Sequence, residues 1–457
     1  MAPPYSKHPS SYRDPSGFLF YKDGVLYRNV NEAFRSDFDL FLRSGLYDSL
    51  RKNEMLIPHE LIGENLTGLP HHYTTLKPEM IPLISYSYEW SFNMLKEAAL
   101  VTLDAAGEAL EHGMWLKDAP ASNVQWHQGK MILIDSLSFE KYNEESPWIA
   151  YRQFCENFFA PLALMHYLKE PVQKLLLGWP NGIPVSFASK SLPLRSRFNL
   201  HSYLHLHLHG SVANKSKANE TAARPFSKEK MKRLLKSLGD GIRDFSFDSP
   251  SGAWSGYYEE AGQRQGYLGS KKEIINAWTN SGSYRTVIDV GSNEGTFSEL
   301  LAQSGHFVIS ADSDHFSINR LYAKTRQLGI KNILPLVIDI AQPSPALGVN
   351  NQEFASFFSR TKTDVVIALA LLHHLAIGKN IPFEMIAATF KNLGRDLIVE
   401  FIPKDDEKIG VMLRQKKDIY DWYSQDNFLR AFASHYTIEA SKKVAETNRV
   451  VFLMKGI

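Results

Sequence analysis

The chain has 457 residues, 44% of them apolar and 22% charged, with a formal net charge of +2. At about 100–200 residues per domain this length holds two to three domains, and the ordinary apolar content excludes a chain disordered throughout. The near-zero charge gives no whole-chain electrostatic case for nucleic acid. The single cysteine, Cys155, excludes an intrachain disulfide and a cysteine zinc cluster.

The opening MAPPYSKHPSSYRDPSG has no apolar core of a secretory signal, and no apolar run reaches the roughly 18 residues that cross a bilayer. The expectation is a soluble, reduced, cytoplasmic protein. Residues 1–17, rich in Pro, Ser and Tyr, read as an extended arm. FLFYKDGVLYRNV reads as a hairpin turning at Lys22-Asp23-Gly24, followed by helical periodicity in NEAFRSDFDLFLRSGLYDSLRKN. After Pro78 and Pro82, SFNMLKEAALVTLDAAGEALEHG is an amphipathic helix, with Gly113 suited to its end. MILIDSLSF reads as a buried strand, and beyond Pro147 the pattern is helical to about Gly210. These residues, 18–210, form a first α+β domain.

Residues 211–281 are polar and basic at their start and read as a linker with a helical segment. The run KSKANETAARPFSKEKMKRLLKS within it reads as a solvated helix face. HLHLH, with His205, His207 and His209, invites a metal reading, but no acidic partner lies close in sequence, and packing is the better account. From Thr286 short apolar strands alternate with helices: TVIDV, FVISAD, ILPLVID, DVVIALAL and LIVEFI. That alternation predicts an α/β domain over 282–457, a doubly wound parallel sheet with helices on both faces.

Chemistry concentrates at the strand ends. VIDVGSNEGTFSELL places Asp289, Gly291, Ser292, Asn293 and Gly295 in a strand-to-helix turn at the sheet's carboxyl edge, where such folds bind nucleotides. Asn293 stands where a pyrophosphate-binding G-x-G needs its second glycine, which argues against a dinucleotide. An acid in the first strand suits an ammonium better than a phosphate. Asp312 closes the second strand, where it can accept two ribose hydroxyls. Asp339 closes the third, with Ile340 placed to cover an adenine.

Three carboxylates in this order resemble the class I S-adenosylmethionine (SAM)-dependent methyltransferases. Asp289, Gly291 and Gly295 match that family's first motif, Asp312 its second and Asp339 its third. The resemblance implies SAM as cofactor and a Rossmann-like domain, with acceptor-side residues after the fourth strand. His373 and His374 stand there in ALALLHHL, and Glu400 lies in the fifth strand; all three are candidates for a catalytic base. Adjacent residues at a strand end point to opposite sides, so at most one histidine is expected to face the methyl group.

SYEWSFNMLKEAAL, LKDAPASN, ILIDSLSFE, ALALLHHLAIGKN and LIVEFIPKDDE further resemble bacterial class I methyltransferases that carry an extra N-terminal domain. In that domain Asp118, Asn123 and Asp135 fall at spacings similar to those of protein kinases, with Gly129 at a hairpin tip. The resemblance implies a kinase-like C-lobe, with Asp118 as base and Asn123 and Asp135 on ATP-Mg²⁺. Departures weigh against phosphotransfer: Leu116 replaces the usual histidine, Ser136-Leu137 follows Asp135, and no Gly-rich phosphate loop is evident. Only Lys22 and Arg28 offer a loosely matching nucleotide-binding cation.

The leading expectation is methyl transfer to a small molecule or glycan rather than to nucleic acid. The alternatives are a bifunctional kinase–methyltransferase acting on a polysaccharide end, and a non-catalytic SAM-binding or pseudokinase scaffold.

Overall fold

The computed structural model describes residues 5–209, 226–248, 265–414 and 417–457. Much of the expected linker, 211–225 and 249–264, lies outside the described residues, as do the arm's first four. Contacts divide the chain into two compact units, Met1–Asp248 with Ala346–Ala355, and Ser249–Pro345 with Ser356–Ile457. No helix among the described residues is long and apolar enough to cross a membrane.

The N-terminal unit opens on an antiparallel sheet of five strands: β1 (Ser6–Lys7), β2 (Gly17–Lys22), β3 (Val25–Asn31), β4 (His59–Ile62) and β5 (His72–Pro78), ordered β1-β2-β3-β5-β4. Within the arm, Ser6 and Lys7 pair with Tyr21 and Phe20 of β2. The β2–β3 hairpin turns where the sequence predicts, with Asp23 and Gly24 both at positive φ (51° and 77°). Two consecutive left-handed residues give the turn whose twist matches that of the strands.

The expected long helix after it is two helices, Arg35–Arg43 and Leu46–Lys52, broken at Gly45 with φ 80°. The amphipathic helix runs Phe92–Glu111 and buries Met94, Leu95, Ala98, Ala99, Leu103 and Leu110. Three short strands follow as hairpin pieces: β6 (Met114–Leu116), β7 (Val124–His127) and β8 (Lys130–Leu133); then comes β9 (Phe139–Lys141), which pairs with β6. MILIDSLSF is therefore not one strand. Asp135 accepts a hydrogen bond from the Leu137 amide at 2.9 Å, and this local turn ends the ladder.

Helix Lys228–Asp244 also belongs to this unit, where it buries Met231, Leu235, Leu238 and Ile242. Lys96 caps its end, donating to the carbonyls of Arg243 and Phe245 at 2.8 and 2.7 Å. Its lysines form the solvated face the composition suggests, Lys228 and Lys232 pairing with Glu111.

The C-terminal unit is a seven-stranded sheet. Its strands are β10 (Thr286–Val290), β11 (Phe307–Asp312), β12 (Ile333–Val337), β13 (Thr363–Ala368), β14 (Gly394–Phe401), β15 (Tyr436–Lys443) and β16 (Val450–Gly456), in the order β12-β11-β10-β13-β14-β16-β15. The first five are parallel, and β16 inserts antiparallel beside β14 with β15 outside it. Pro335 is tolerated in β12 because that strand is an edge. The order reverses between β10 and β13, which opens a crevice at the carboxyl ends of the strands.

Helix Gln265–Ser281, placed by the sequence reading in the connecting segment, packs instead into this unit. Tyr267, Ile274, Ile275 and Trp278 join one core cluster with Val287, Val365, Ile398 and Val451.

Candidate active site

The turn after β10 folds back on β11. The amides of Gly291 and Ser292 both donate to the Ala311 carbonyl, at 2.8 and 3.3 Å. Gly291, Asn293 and Gly295 all take positive φ (76°, 50° and 81°), conformations that cost little only for Gly and Asn. The two glycines serve different neighbours. A Cβ on Gly295 would stand 2.5 Å from Leu321, so that glycine admits the helix after β11, His315–Leu328, rather than a ligand. A Cβ on Gly291 would stand 3.2 Å from Leu371, beside the crevice.

The crevice is a cavity of about 390 Å³. The three strand-end acids line it in strand order: Asp339 just after β12, Asp312 at the end of β11 and Asp289 in β10. Gly291, Ser292, Asn293 and Ile340 line it too, whereas Gly295 does not. Adjacent strands lie about 4.8 Å apart, so the acids span roughly 10 Å, the length of a nucleoside carrying a short chain.

The three acids differ in how far they are neutralised. Asp339 accepts from Lys379 Nζ at 2.6 Å and from the Ala341 amide at 3.0 Å. Asp312 has no cation; its two oxygens accept the amides of Asn293 and Asp314, each at 2.8 Å, and burial raises its pKa. Asp289 is 3% exposed and accepts from the Ser298 hydroxyl at 2.7 Å, itself hydrogen-bonded by Ser310. Burial pushes the Asp289 carboxyl up to about 6.

The three acceptor-side candidates separate. His374 lines the cavity, and burial lowers its pKa, which keeps it neutral at physiological pH. His373 is 3% exposed, does not line the cavity and packs its ring 4.2 Å from that of His374. Glu400 is wholly buried and outside the cavity lining. Its Oε2 accepts from Lys271 Nζ at 2.7 Å and from the Ala370 amide at 2.8 Å. Both contacts fall on the same oxygen, and they tie this carboxylate to helix Gln265–Ser281 and to the turn after β13.

Lys271 and Tyr267, both cavity-lining, were missed by the sequence reading. The signal was a lysine within an apolar stripe, Tyr267, Lys271, Ile274 or Ile275 and Trp278, at helical spacing.

In the N-terminal unit Asp118, Asn123 and Asp135 do come together. Asn123 Nδ2 donates to Asp118 at 3.2 Å and to Ser138 Oγ at 2.9 Å. Burial, then the Asp135 charge, raises Asp118 to about 6. Asp135, however, is ion-paired with Arg28 at 2.9 Å, and Lys117 holds Asp14 at 3.3 Å beside it. Arg28 thus occupies Asp135, the acid expected on Mg²⁺, and no group of three or more His, Cys, Asp or Glu side chains able to hold a metal is assembled among the described residues.

The HLHLH histidines lie on a helix; His205 and His207 spend their nitrogens on hydroxyls, and His209 stacks on the Tyr151 ring with centroids 4.8 Å apart. His205 meets Tyr151 and Ser237 at 2.9 and 3.0 Å, and His207 meets Ser189 and Ser196 at 3.0 and 2.8 Å.

No protein-family model matches the chain. It is similar to the nodulation protein NoeA of Rhizobium meliloti strain 1021, with 28% identity over 99% of this chain and 96% of that protein. Among solved structures it is similar to the magnesium protoporphyrin IX methyltransferase ChlM of Synechocystis PCC 6803 with bound SAH, at 18% identity and a TM-score of 0.31. That likeness covers 42% of this chain and 86% of ChlM. The bifunctional kinase–methyltransferase WbdD gives 17% identity and a TM-score of 0.29, over 42% of this chain and 39% of WbdD. The N-methyltransferase NodS of Bradyrhizobium japonicum WM9 gives 12% and 0.30, over 41% of this chain and 93% of NodS.

The Asp289 environment has a pH signature. Its folded-state pKa, about 6 against an ordinary 3.8, means its protonated form stabilises the fold below about pH 4. That contribution is lost as pH rises through 6. Two units correspond to roughly 3 kcal/mol. Asp289→Asn is therefore expected to raise Tm relative to wild type at pH 8, with the gain vanishing near pH 4. Differential scanning calorimetry of the ligand-free protein at the two pH values measures it, and a gain independent of pH would show that Asp289 carries no buried charge.

Proposed function

We propose that the C-terminal unit binds SAM along the carboxyl edge of its sheet and transfers the methyl group to a small-molecule or glycan acceptor. The observation that carries this reading is the ordered line of Asp339, Asp312 and Asp289 in one cavity, closed by the Gly291 turn. In this reading Asp339 and Ile340 face the adenine, Asp312 takes the ribose hydroxyls and Asp289 the ammonium. The net charge of +2 favours such an acceptor over a polyanion.

SAM supplies a methyl carbon already activated by its sulfonium. What remains for the chain is to align the acceptor and, where the acceptor is protonated, to take its proton. His374 is the cavity-lining group able to do so, being neutral at physiological pH. His373 and Glu400 support it from behind, Glu400 by fixing the Ala370 backbone that precedes the histidines.

For the N-terminal unit the Arg28–Asp135 ion pair favours a non-catalytic role over phosphotransfer. The chain is then a methyltransferase joined to a domain that resembles a kinase without holding metal-nucleotide, a reading to which the end-to-end similarity with NoeA adds that the two units belong together.

Three measurements test these assignments. Isothermal calorimetry on Asp312→Ala is expected to show SAM binding at least about tenfold weaker, the loss of hydrogen bonds to a charged acceptor; unchanged affinity removes Asp312 from the site. Once an acceptor is in hand, His374→Ala is expected to lose at least about a hundredfold in kcat with SAM affinity retained, whereas His373→Ala lowers Tm and spares most turnover. Equal kcat losses in the two variants would overturn this division. In a thermal-shift assay SAM is expected to raise Tm and ATP-Mg²⁺ to leave it unchanged, while Arg28→Met is expected to lower Tm by removing the cation that Asp135 and Asp14 share. A rise in Tm with ATP-Mg²⁺ would restore the phosphotransfer reading.

A further inference from the structure

We infer that the acid-free stretch from Pro171 to His209, in the N-terminal unit, is a docking surface for an anionic lipid bilayer, on which the chain lies without spanning it. The inference is independent of the SAM reading.

The first argument is exposure. Single apolar side chains on a surface are ordinary, whereas a concentration of them marks a binding face. Among the described residues Phe198 is the most exposed large apolar side chain, at 90%, and Leu194 and Leu200 on either side of it stand at 72% and 65%. Tyr203, one turn further on, is exposed as well. So is Phe187, whose ring lies 4.7 Å from that of Trp179. Leucine and the aromatic residues are the side chains that enter the boundary between lipid headgroups and acyl chains.

The second argument is that the fold holds these side chains where they are. Ser196 Oγ donates to the Pro193 carbonyl at 2.7 Å, so it accepts from His207 Nε2, 2.8 Å away. The other ring nitrogen, Nδ1, then accepts from Ser189 at 3.0 Å. His207 thus ties helix Val185–Ser191, which carries Phe187, to the turn Leu194–Phe198. Asn199 caps the next helical segment by accepting the Ser202 amide at 2.9 Å. The apolar side chains therefore stand on a pinned framework, and their entropy cost of ordering is already met when a bilayer arrives.

The third argument is charge. From Pro171 to His209 the sequence has no Asp or Glu, but it has Lys174, Lys190, Arg195 and Arg197. Lys174, Lys190 and Arg197 form no ion pair among the described residues. Arg195 donates to the Tyr167 carbonyl and keeps its charge. Glu156 and Asp240, on helices that pack against this stretch, are paired with Arg152 and Lys236. Uncompensated cations among exposed apolar side chains complement an anionic lipid surface, where each basic residue strengthens binding about fivefold. A second copy of the chain fits less well, because a two-fold contact would set this cationic face against itself. A nucleic acid would use the cations and leave Leu194 and Phe198 in water.

The test is cosedimentation of the full chain with vesicles of phosphatidylcholine alone or mixed equally with phosphatidylglycerol. The wild type is expected to bind the mixed vesicles at least about tenfold more tightly. Leu194→Ser paired with Phe198→Ser, and Lys190→Gln paired with Arg197→Gln, are each expected to weaken that binding at least about tenfold with Tm unchanged. Lys228→Gln paired with Lys232→Gln removes as much charge elsewhere on the unit and is expected to leave binding unaltered. Equal binding to the two vesicles, or to neither, overturns the proposal. So does full binding by either surface variant, or an equal loss in the Lys228/Lys232 variant. A DNA duplex bound as tightly as the mixed vesicles and indifferent to the serine changes would assign the surface to nucleic acid instead. A dimer in sedimentation that the serine changes dissociate would assign it to a second copy, which also overturns the inference.

Discussion

A lysine and a glutamate with almost no contact with water, 2.7 Å apart, tie helix Gln265–Ser281 to the sheet beneath it. Glu400 sits in β14, the Ala370 amide that it also holds follows β13, and Tyr267 and Lys271 come from the helix. Three elements distant in sequence therefore meet on one carboxylate. The network continues through Tyr267 to Arg449 at 2.7 Å and from Arg449 to Asp406 at 2.8 and 3.0 Å. Each charge in it has an opposite partner, which is the condition under which buried ions are tolerated. Ala370 takes a φ of +50° to present its amide, and strain of that kind persists only where surroundings over-determine it.

That network borders the cavity and sets its electrostatics. Moving along the carboxyl edge from β12 to β10, the acids become progressively less compensated. Asp339 has a lysine, Asp312 has two amides, and Asp289 has a hydroxyl and little solvent. Ligand and protein charge must balance in a space of this dielectric, so the edge calls for a neutral polar group at one end and a cation at the other. An adenosine bearing a cationic amino acid has that polarity; a dinucleotide pyrophosphate has the opposite one. His374, which also lines the cavity, adds no charge to it, because burial keeps its imidazole neutral.

The parallel core of this unit was legible in the sequence because its strands are short apolar runs separated by helical stretches, the first three ending on an acid or a glycine turn. The order of the last two strands was not: β15 is largely exposed and polar in YTIEASKK, and β16, a buried apolar run in VVFLM, inserts antiparallel between β14 and β15, which no local pattern announces. Helix Gln265–Ser281 was read as a connector because its sequence opens on glycines and lysines; only packing shows that Lys271 faces inward. Glu400 was legible as a special residue, since an acid inside LIVEF has no reason to be buried alone, but its partner lay 129 positions away. Spacing can bring three acids to one edge; it cannot say which of them a distant cation has already neutralised.

The two units make that last point by contrast. In the N-terminal unit the kinase-like spacing does bring Asp118, Asn123 and Asp135 together, yet Arg28 from β3 meets Asp135 and Lys117 meets Asp14. Asp135 and Asp14 are balanced within the chain, and a bound metal would have to displace a guanidinium held by both, whereas burial and the Asp135 charge push Asp118 up to about 6. In the C-terminal unit Asp289 faces a cavity with its charge unbalanced and its pKa raised. Geometry alone ranks the two clusters as equals. They differ at Asp135 and Asp289: the chain supplies a guanidinium to the first and a serine hydroxyl to the second.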